Sequence, residues 1–540
     1  MRRAVIATVE IVLFSILILA TRCANYRDVF IGGNIYFTDA DCYARMTRVR
    51  LCLEQPGLIL RHHSFENFPA GTTPHTTAPF DYLIAALAVA LKPITAQALE
   101  FAGALISPLL ALLAGWFLWW WSRRERLAYR GGLLLLYGLS PILVHGMALG
   151  RPDHQSLLLC LIVVALCAEW TLPSIDPKGV GTAVTQPTEK SARPGFQRFV
   201  QHWSLVSGAS WGLALWVSLY EPLLLLAALI VSQILFARKT FLAWPRPIGW
   251  ALCGGILLIA LVLEQRLPVW PQNSQLFSNW ASTIGELRQV SPTDSIWLRW
   301  TGLLLIPLPA LLWIALRKTR TMPAFLAVLL AATFALTIWQ ARWAYFFVMI
   351  FALGLPACLG VFRNRIAGWI VLAISLFPIL TDWDERLWPG ESQNALKLER
   401  RAEAIAWRQA ASQIDGPFLA PWWWSPAVAF WSGQPGVAGS SHEALPGTEQ
   451  SAKFFLSADS EAAKAILLKN KVAWVFAYDA DRIILNSSAI LAVSPPENPL
   501  GRVLDRTPSR APPFLELVAQ NSAAKLFRVH FFQEKENFPR

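Results

Sequence analysis

The chain has 540 residues, of which 55% are hydrophobic and only 15% are charged, whereas a soluble globular protein has about 25% charged residues. Together with a mean hydropathy of +0.41, this argues against a soluble cytosolic enzyme and excludes disorder over most of the length. The net charge of +12 comes from basic clusters that stand between apolar segments. That pattern is typical of cytoplasmic loops in a membrane protein, so we expect no nucleic-acid partner.

The N-terminal sequence Met1-Arg2-Arg3 precedes an apolar run over residues 4–20. A signal peptide is one interpretation, but Arg22 directly before Cys23 does not suit a signal peptidase. We therefore predict an uncleaved first helix that starts in the cytoplasm. Further apolar segments of spanning length bring the predicted total to about eleven, in a range of 11–13: 98–121, 128–148, 155–171, 203–220, 221–237, 247–263, 297–316, 322–340, 343–361 and 366–383.

The segment 79–93 is apolar but short, and Asp81 interrupts it. We interpret it as an interfacial helix on the outer side, because the basic loops then all face the cytoplasm as the positive-inside rule requires. These loops contain Arg123, Arg124, Arg126, the polar stretch 172–200, Arg238, Lys239, Arg317, Lys318, Arg320, Arg363 and Arg365. This topology predicts outer loops at 22–97, 149–154 and 264–296.

The composition of the chain changes from residue 385 onward, where charged residues become more frequent and apolar runs become shorter. Residues 462–468 are predicted to be helical and residues 472–477 to form a buried strand. The predicted fold is a polytopic α-helical membrane protein with a transmembrane domain over 1–384 and a soluble α/β domain over 385–540. An odd number of spans places this second domain on the outer face of the cell (inner) membrane.

Cysteine and histidine leave two questions open in the outer loop. Cys42 and Cys52 are candidates for a disulfide if the loop is oxidised. His62, His63 and His75 share the loop and are a possible metal cluster.

Two acidic motifs are predicted to lie on the outer face. Asp39 and Asp41 offer two carboxylates that can bind a divalent cation, although a solvated loop is the simpler interpretation. Asp153-His154-Gln155 stands at the outer end of a span, where Asp153 could instead cap the following helix. Because both motifs share one face, they are candidates for a common metal site.

Three other features of the predicted outer face are candidates for function. Glu286 stands in Thr283-Ile284-Gly285-Glu286, with a solvated side chain as the alternative. Arg342 lies at the mouth of two helices and suits a phosphate, with snorkelling as the alternative. Trp422, Trp423 and Trp424 open the C-terminal region and could form a recognition surface or pack against the membrane face.

Taken in order, these motifs resemble the catalytic subunit of oligosaccharyltransferases, within the GT-C glycosyltransferases. The resemblance covers nearly the whole chain. It implies that Asp41 is the first active-site aspartate, that Asp153-His154-Gln155 is the second acidic motif, and that Glu286 is the glutamate of the TIxE motif. It also implies that Arg342 holds the lipid pyrophosphate. The family's WWD signature falls on Trp422, Trp423 and Trp424.

Two departures mark the chain as a divergent, bacterial-type relative. The WWD aspartate, which in the family helps bind the Ser/Thr hydroxyl of the acceptor sequon, is Trp424 here. The second acidic motif usually ends in an acid or histidine, and here it ends in Gln155, which is a weaker metal ligand. Both departures bear on the acceptor and on the metal, so the acceptor need not be an asparagine in a protein.

The expected function is transfer of a glycan from a polyprenyl (pyro)phosphate carrier to an extracytoplasmic protein, lipid or polymer acceptor. Asp41, Asp153 and Glu286 are the expected catalytic residues. A divalent metal (Mg or Mn) is expected on Asp41 and Asp153, with His154 and Gln155 as further ligands. The alternatives are a single-sugar GT-C transferase, an inactive scaffold, and a transporter or flippase in which Glu221 would be a proton site.

Overall fold

The computed structural model describes residues 2–172, 194–241, 244–266, 273–319 and 321–530. Most of the stretch 172–200, together with Arg320 and residues 267–272 of the third outer loop, lies outside the described residues. The helices of the first third are α1 (Arg2–Arg22), α2 (Tyr26–Val29), α3 (Ala40–Glu54), α4 (Ala78–Leu91), α5 (Ala98–Arg124), α6 (Arg130–Leu139), α7 (Pro141–Gly146) and α8 (His154–Thr171). The middle third contains α9 (Pro194–Val217), α10 (Tyr220–Phe241), α11 (Arg246–Glu264), α12 (Ser274–Ala281), α13 (Ile296–Thr301), α14 (Leu308–Arg317), α15 (Ala324–Trp339), α16 (Ala344–Leu359), α17 (Arg365–Ser375) and α18 (Phe377–Leu387).

Seven stretches of helix in the described part of the chain are long and apolar enough to cross a membrane. They coincide with seven of the predicted spans: the first helix and the segments that begin near residues 98, 155, 221, 247, 343 and 366. The predicted spans 203–220 and 322–340 are formed by α9 and α15. The spans predicted at 128–148 and 297–316 are broken helices, and proline follows each break because it starts a helix more readily than it continues one.

Two helices of the first outer loop, α3 and α4, are joined by a buried ion-pair network. The Asp81 carboxylate lies 2.6 Å from a guanidinium nitrogen of Arg45 and 3.3 Å from one of Arg48. The charge that interrupts the apolar segment is therefore neutralised by its neighbour helix. With 14 residues, α4 is about 21 Å long, which is shorter than the membrane's hydrocarbon core of about 30 Å. Its location at the interface remains a prediction.

The C-terminal part forms a small α/β unit. Its helices are α19 (Glu391–Ala411), α20 (Ser425–Ser432), α21 (Leu445–Leu456), α22 (Ser460–Lys469), α23 (Ala480–Leu491) and α24 (Leu500–Arg506). After the short β1 (Phe30–Ile31) and β2 (Asn34–Ile35) of the outer loop, the four-stranded sheet has the order β3 (Phe418–Leu419), β4 (Trp474–Ala477), β6 (Lys525–Val529) and β5 (Leu515–Gln520). The predicted helix and buried strand are confirmed as α22 and β4, since all four residues of β4 are buried.

The expectation of a possible disulfide between Cys42 and Cys52 is wrong. All seven cysteines lie within the described residues and are free thiols. Both cysteines stand on α3, ten residues apart, so their Cα atoms are separated by about 15 Å along the helix. A disulfide requires less than about 7 Å.

Candidate active site

Three segments that are distant in sequence place their carboxylates in one region. Asp39 and Asp41 stand at the start of α3, where the Asp39 side chain caps the helix by accepting a hydrogen bond from the Cys42 N–H. Asp153 immediately precedes α8. Glu286 lies in a single turn of 3-10 helix between α12 and α13. The structure thus brings the two predicted acidic motifs and the predicted loop glutamate to one site.

Arg151 is the cation that holds this acidic cluster together. Its guanidinium donates to the Glu286 carboxylate in a very short contact, and it lies 3.4 Å from Asp39 and 3.5 Å from Asp153. A fourth contact of 3.1 Å joins it to His145. The Arg151 side chain is only 4% exposed, so one buried, permanent positive charge faces three carboxylates.

The side chains of the second acidic motif are engaged with one another and with Glu286. Asp153 does not use its side chain to cap α8; instead, its Oδ1 lies 2.7 Å from Nδ1 of His154. Burial alone would raise the pKa of Asp153, but His154 and Arg151 outweigh it and hold that pKa well below its usual range. Gln155 donates to Glu286 at 3.3 Å.

Asp41 has a different environment from Asp153. It is exposed to solvent, yet protein crowds the rest of its surface. This desolvation, followed by the negative charges of Asp39, Asp153 and Glu286, raises the pKa of Asp41 to about 6. The Ser440 hydroxyl opposes the shift by donating a hydrogen bond to the carboxylate. Asp41 therefore combines access from solution with a basicity near neutral.

The acidic residues fit a divalent cation. Carboxylate and amide oxygens suit hard ions such as Mg²⁺ and Mn²⁺, and Asp41 lies close enough to Asp39, Asp153 and Glu286 for their negative charges to add to the effect of desolvation on its pKa. The Oε1 atom of Gln155 is buried and accepts no hydrogen bond from any residue that the structure describes. Asp41, Asp153 and this amide oxygen are the groups that would hold the ion, whereas the His154 Nδ1 is directed at Asp153.

Arg342 lies beside the acidic cluster, where Glu221 is its partner. The two side chains are 2.5 Å apart, and Glu221 is almost fully buried while Arg342 is 22% exposed. The Nε atom of Arg342 is buried and makes no hydrogen bond with any described residue. Glu221, the possible proton site of a transporter, is therefore a counter-ion of the arginine, which retains donor capacity for an anion.

The three adjacent tryptophans lie in one network of aromatic contacts, in which Trp422 packs on Trp423, and Trp423 and Trp424 both pack on Tyr478. The Trp422 ring packs against Trp280 of α12, with centroids 5.6 Å apart. The indole N–H of Trp423 donates to the Tyr478 hydroxyl. Trp424 packs on Trp407 of α19 at 4.4 Å. The region at Trp424 is thus occupied by aromatic packing rather than by an open pocket.

The proposed cluster of His62, His63 and His75 is wrong, because these side chains do not converge. The imidazole of His63 is buried between Thr72 and Glu66. His75 instead meets Glu443 of the C-terminal unit at 3.0 Å.

Several residues of the site were not identified from the sequence. Arg151 gave one signal, since it is a charged residue two positions before Asp153 in a short loop between apolar segments. Nothing in the sequence around Glu66 or Ser440 indicated that these residues belong to the site. Glu66 accepts a hydrogen bond from the Ser440 N–H at 3.0 Å, so the first outer loop and the C-terminal unit meet directly beside Asp41.

A cavity of about 560 Å³ lies among the membrane helices near this region. Most of its walls are apolar, and they include side chains from α13, α14 and α15 together with Phe347 of α16. Phe347 stands five residues after Arg342 in the chain.

No family model and no curated protein sequence matches the chain. Solved structures, in contrast, match it over most of its length, and they include membrane glycosyltransferases of the GT-C fold. The prediction of a GT-C fold with a C-terminal domain is therefore confirmed.

The archaeal oligosaccharyltransferase AglB from Archaeoglobus fulgidus, in complex with an inhibitory peptide and a dolichol-phosphate, matches with a TM-score of 0.65 and 14% identity over 90% of this chain and 71% of that chain. The Archaeoglobus fulgidus oligosaccharyltransferase in complex with Zn and sulfate matches with a TM-score of 0.58 and 15% identity, over 87% of this chain and 67% of that chain. ArnT from Cupriavidus metallidurans bound to undecaprenyl phosphate matches with a TM-score of 0.55 and 12% identity over 97% of both chains. At these identities the likeness concerns the fold.

Proposed function

We propose that the protein is a membrane glycosyltransferase that moves a glycan from a polyprenyl (pyro)phosphate to an acceptor outside the cytoplasm. The observation that carries this proposal is the meeting of Asp41, Asp153 and Glu286 with two arginines, Arg151 and Arg342, at one solvent-accessible place. Structural neighbours with this fold bind dolichol-phosphate and undecaprenyl phosphate. A lipid-linked sugar donor fits both the charged groups of the site and the lipid phosphates that the neighbours bind.

The transfer breaks the bond between the sugar and the carrier phosphate, which leaves as an anion, while the acceptor forms the new bond. Arg342 binds this phosphate, because its side chain is 22% exposed and its guanidinium matches phosphate oxygens. A divalent ion held by Asp41, Asp153 and Gln155 would supply further neutralisation of the leaving group. The apolar cavity lined by Phe347 of α16, the helix that follows Arg342, suits the isoprenoid chain.

Asp41 is the group that we assign to the acceptor. Its pKa of about 6 leaves it ionised at pH 7, so its carboxylate can bind the ion with one oxygen and accept a hydrogen bond from the nucleophile with the other, while the proton of the nucleophile passes to water. Glu286 orients the same acceptor from the opposite loop. Arg151 does not touch substrate in this scheme; it positions Glu286 and Asp153 by holding their carboxylates.

This function requires the organisation expected from the sequence. Residues 1–384 form the transmembrane catalytic domain, residues 385–540 form the outer α/β domain, and the active site faces the outside of the inner membrane. Reporter fusions at residue 125 and after residue 390 test this arrangement. An outside signal at 125 would invert the loops and separate the site from an extracytoplasmic acceptor.

Two acceptor classes have support. In sequence, Trp422, Trp423 and Trp424 fall on the WWD signature with which oligosaccharyltransferases recognise a peptide acceptor, and this resemblance favours protein glycosylation. The second candidate is transfer of a single sugar to a lipid or surface polymer. It is favoured by the ArnT likeness, which spans 97% of both chains, and by the packing of Trp424 against Trp407 where the peptide pocket would need a carboxylate.

Mass spectrometry of envelope proteins and glycolipids, with and without the gene, tests the function and separates the two acceptor classes. Complementation with Asp41→Ala or Asp153→Ala should abolish the modified product. Asp28→Ala is the matched control, because Asp28 lies in the same outer loop but pairs with Arg401 away from the site. Wild-type product levels in either active-site variant would overturn the assignment.

A further inference from the structure

A second group of potential metal ligands joins the first outer loop to the C-terminal unit. His75 comes from the loop, while His442 and Glu443 lie in the turn that leads into α21. One ligand atom from each residue can be chosen so that all three lie within 4.8 Å of one another. Among the described residues, this is the one group of three or more histidine, cysteine or acidic side chains that meets this condition.

The geometry of the group is that of ligands facing a common point. Nδ1 of His75 is 3.0 Å from both carboxylate oxygens of Glu443, and Nδ1 of His442 is 3.5 Å from one of them. Around a tetrahedral zinc ion, neighbouring ligand atoms are roughly 3.4 Å apart. The observed separations therefore need only small side-chain movements to admit an ion.

The surroundings of the group favour a fixed site. The Glu443 side chain is only 7% exposed, whereas His75 is 45% exposed and provides access from solution. On the other side, the Phe277 ring of α12 meets the His442 ring edge to face at 6.3 Å. Such an apolar wall limits solvent around an ion and holds the imidazole in place.

We propose that His75, His442 and Glu443 form a zinc-type metal site that ties the first outer loop to the C-terminal domain. Two imidazoles and one carboxylate suit Zn²⁺ and similar transition metals, whereas the carboxylate-rich cluster at Asp41 suits Mg²⁺ and Mn²⁺. The two sites thus differ in donor chemistry. This inference stands independently of the proposed transferase activity.

A metal here would act on the active site through the chain that connects them. Three residues before Glu443, Ser440 bonds both Asp41 and Glu66. The loop residues 65–68 also exchange backbone hydrogen bonds with Gly436. An ion bound by residues from both sides would add one more link to this junction, and the structural consequence is a tighter docking of the two parts.

The test uses the full-length protein in detergent, stripped with chelator and titrated with Zn²⁺ by calorimetry, with bound metal counted by elemental mass spectrometry. We expect one zinc per chain that is lost in His442→Ala and in His75→Ala, with affinity weakened at least about 100-fold, the upper end for loss of an outer-shell partner alone. X-ray absorption of the zinc-loaded protein should show two imidazole ligands. His75 is half-exposed, so its variant should fold normally.

Two controls make the result decisive. His530→Ala removes another histidine of the C-terminal domain, one that contacts a single carboxylate, Glu516; it should leave zinc binding unchanged. The Asp41→Ala/Asp153→Ala double variant should also retain the zinc. Equal zinc affinity in the wild type, His75→Ala and His442→Ala would overturn the proposal, and so would loss of the zinc in the double variant, because the ion would then occupy the acidic cluster.

Discussion

Replacing Arg151 by glutamine removes the one guanidinium that three carboxylates of the active site share. The variant keeps a hydrogen-bonding side chain of moderate length but loses the charge. Asp39, Asp153 and Glu286 then face one another without their common partner, while Glu286 keeps its hydrogen bonds from Gln155 and Tyr345. We expect the acidic loops to separate and the folded state to be destabilised.

The magnitude follows from the exposure of each partner. Asp153 is only 9% exposed, whereas Glu286 and Asp39 are 34% and 37% exposed. Loss of one partner from a buried ion pair costs about 3–5 kcal/mol, but exposed pairs contribute at most about 1 kcal/mol. The expected loss is therefore near the lower limit, about 3 kcal/mol, which is about a hundredfold in the ratio of folded to unfolded protein.

Thermal unfolding in detergent, with chelator present, measures this loss as a fall in Tm. Adding Mn²⁺ should recover part of it in Arg151→Gln, because an ion held by Asp41, Asp153 and Gln155 would place positive charge on one of the three carboxylates, Asp153, and beside the other two. Arg151→Lys should be intermediate, since it keeps the charge but loses the fork geometry. Arg401→Gln, which removes a partly exposed pair with Asp28, should change Tm little.

The reasoning would be refuted by an Arg151→Gln variant as stable in chelator as the wild type. That outcome would mean that solvent, rather than the guanidinium, neutralises the three carboxylates. A loss of stability that Mn²⁺ does not reduce would agree with the ion pairs of Arg151 but would contradict the assignment of Asp153 to a divalent ion.

Three further predictions concern other residues of the site. Because Asp41 must be ionised to hold a cation and its pKa is about 6 without one, the affinity for Mn²⁺ should rise with pH through about 6; an affinity that is flat between pH 5 and 7 would contradict this role. Burial raises the pKa of Glu66 from 4.5 to about 7. Between these two pH values the folded state therefore keeps a proton that the unfolded state releases. The free energy of unfolding should fall by about 3 kcal/mol as pH rises from about 4.5 to about 7. Glu66→Gln should remove this part of the pH dependence of Tm. Trp424→Asp should lower stability by about 3 kcal/mol through loss of the contact with Trp407, whereas Trp424→Phe should cost less. The Asp variant should not restore a preference for Asn-x-Ser/Thr peptides. A gain of sequon preference in a peptide transfer assay would contradict this prediction and show that a pocket exists.

The order of apolar segments along the chain was sufficient to predict the membrane fold. A helix satisfies its backbone hydrogen bonds within itself, so a long apolar run fixes its own structure in a membrane without distant partners. This is why seven predicted spans appear as helices of spanning length. The same locality explains the prediction of the buried strand at 472–477, whose apolar and β-branched residues form β4 in the structure.

The composition of the active site was only partly predictable. Asp153 was identified at the outer end of an apolar segment, where an ionisable group is costly. Asp41 was identified from its pair with Asp39 in the first outer loop, and Glu286 from its place in the Thr-Ile-Gly-Glu sequence of the third. The sequence could not show which charged side chains form ion pairs with one another. Arg151 and Glu286 are 135 residues apart and Arg342 and Glu221 are 121 apart, and which charges meet depends on how the helices pack.

The aromatic and histidine clusters show the same limit more sharply. Trp422, Trp423 and Trp424 look like one recognition surface in sequence, yet they pack on one another and on aromatic side chains that are distant in sequence, Trp280, Tyr478 and Trp407. His75 has two histidines near it in the loop, but its partners are His442 and Glu443, more than 360 residues away. Local hydrophobicity determined the helices of this protein, whereas its charged side chains and histidines acquired their partners only when the helices packed and the first outer loop docked on the C-terminal unit.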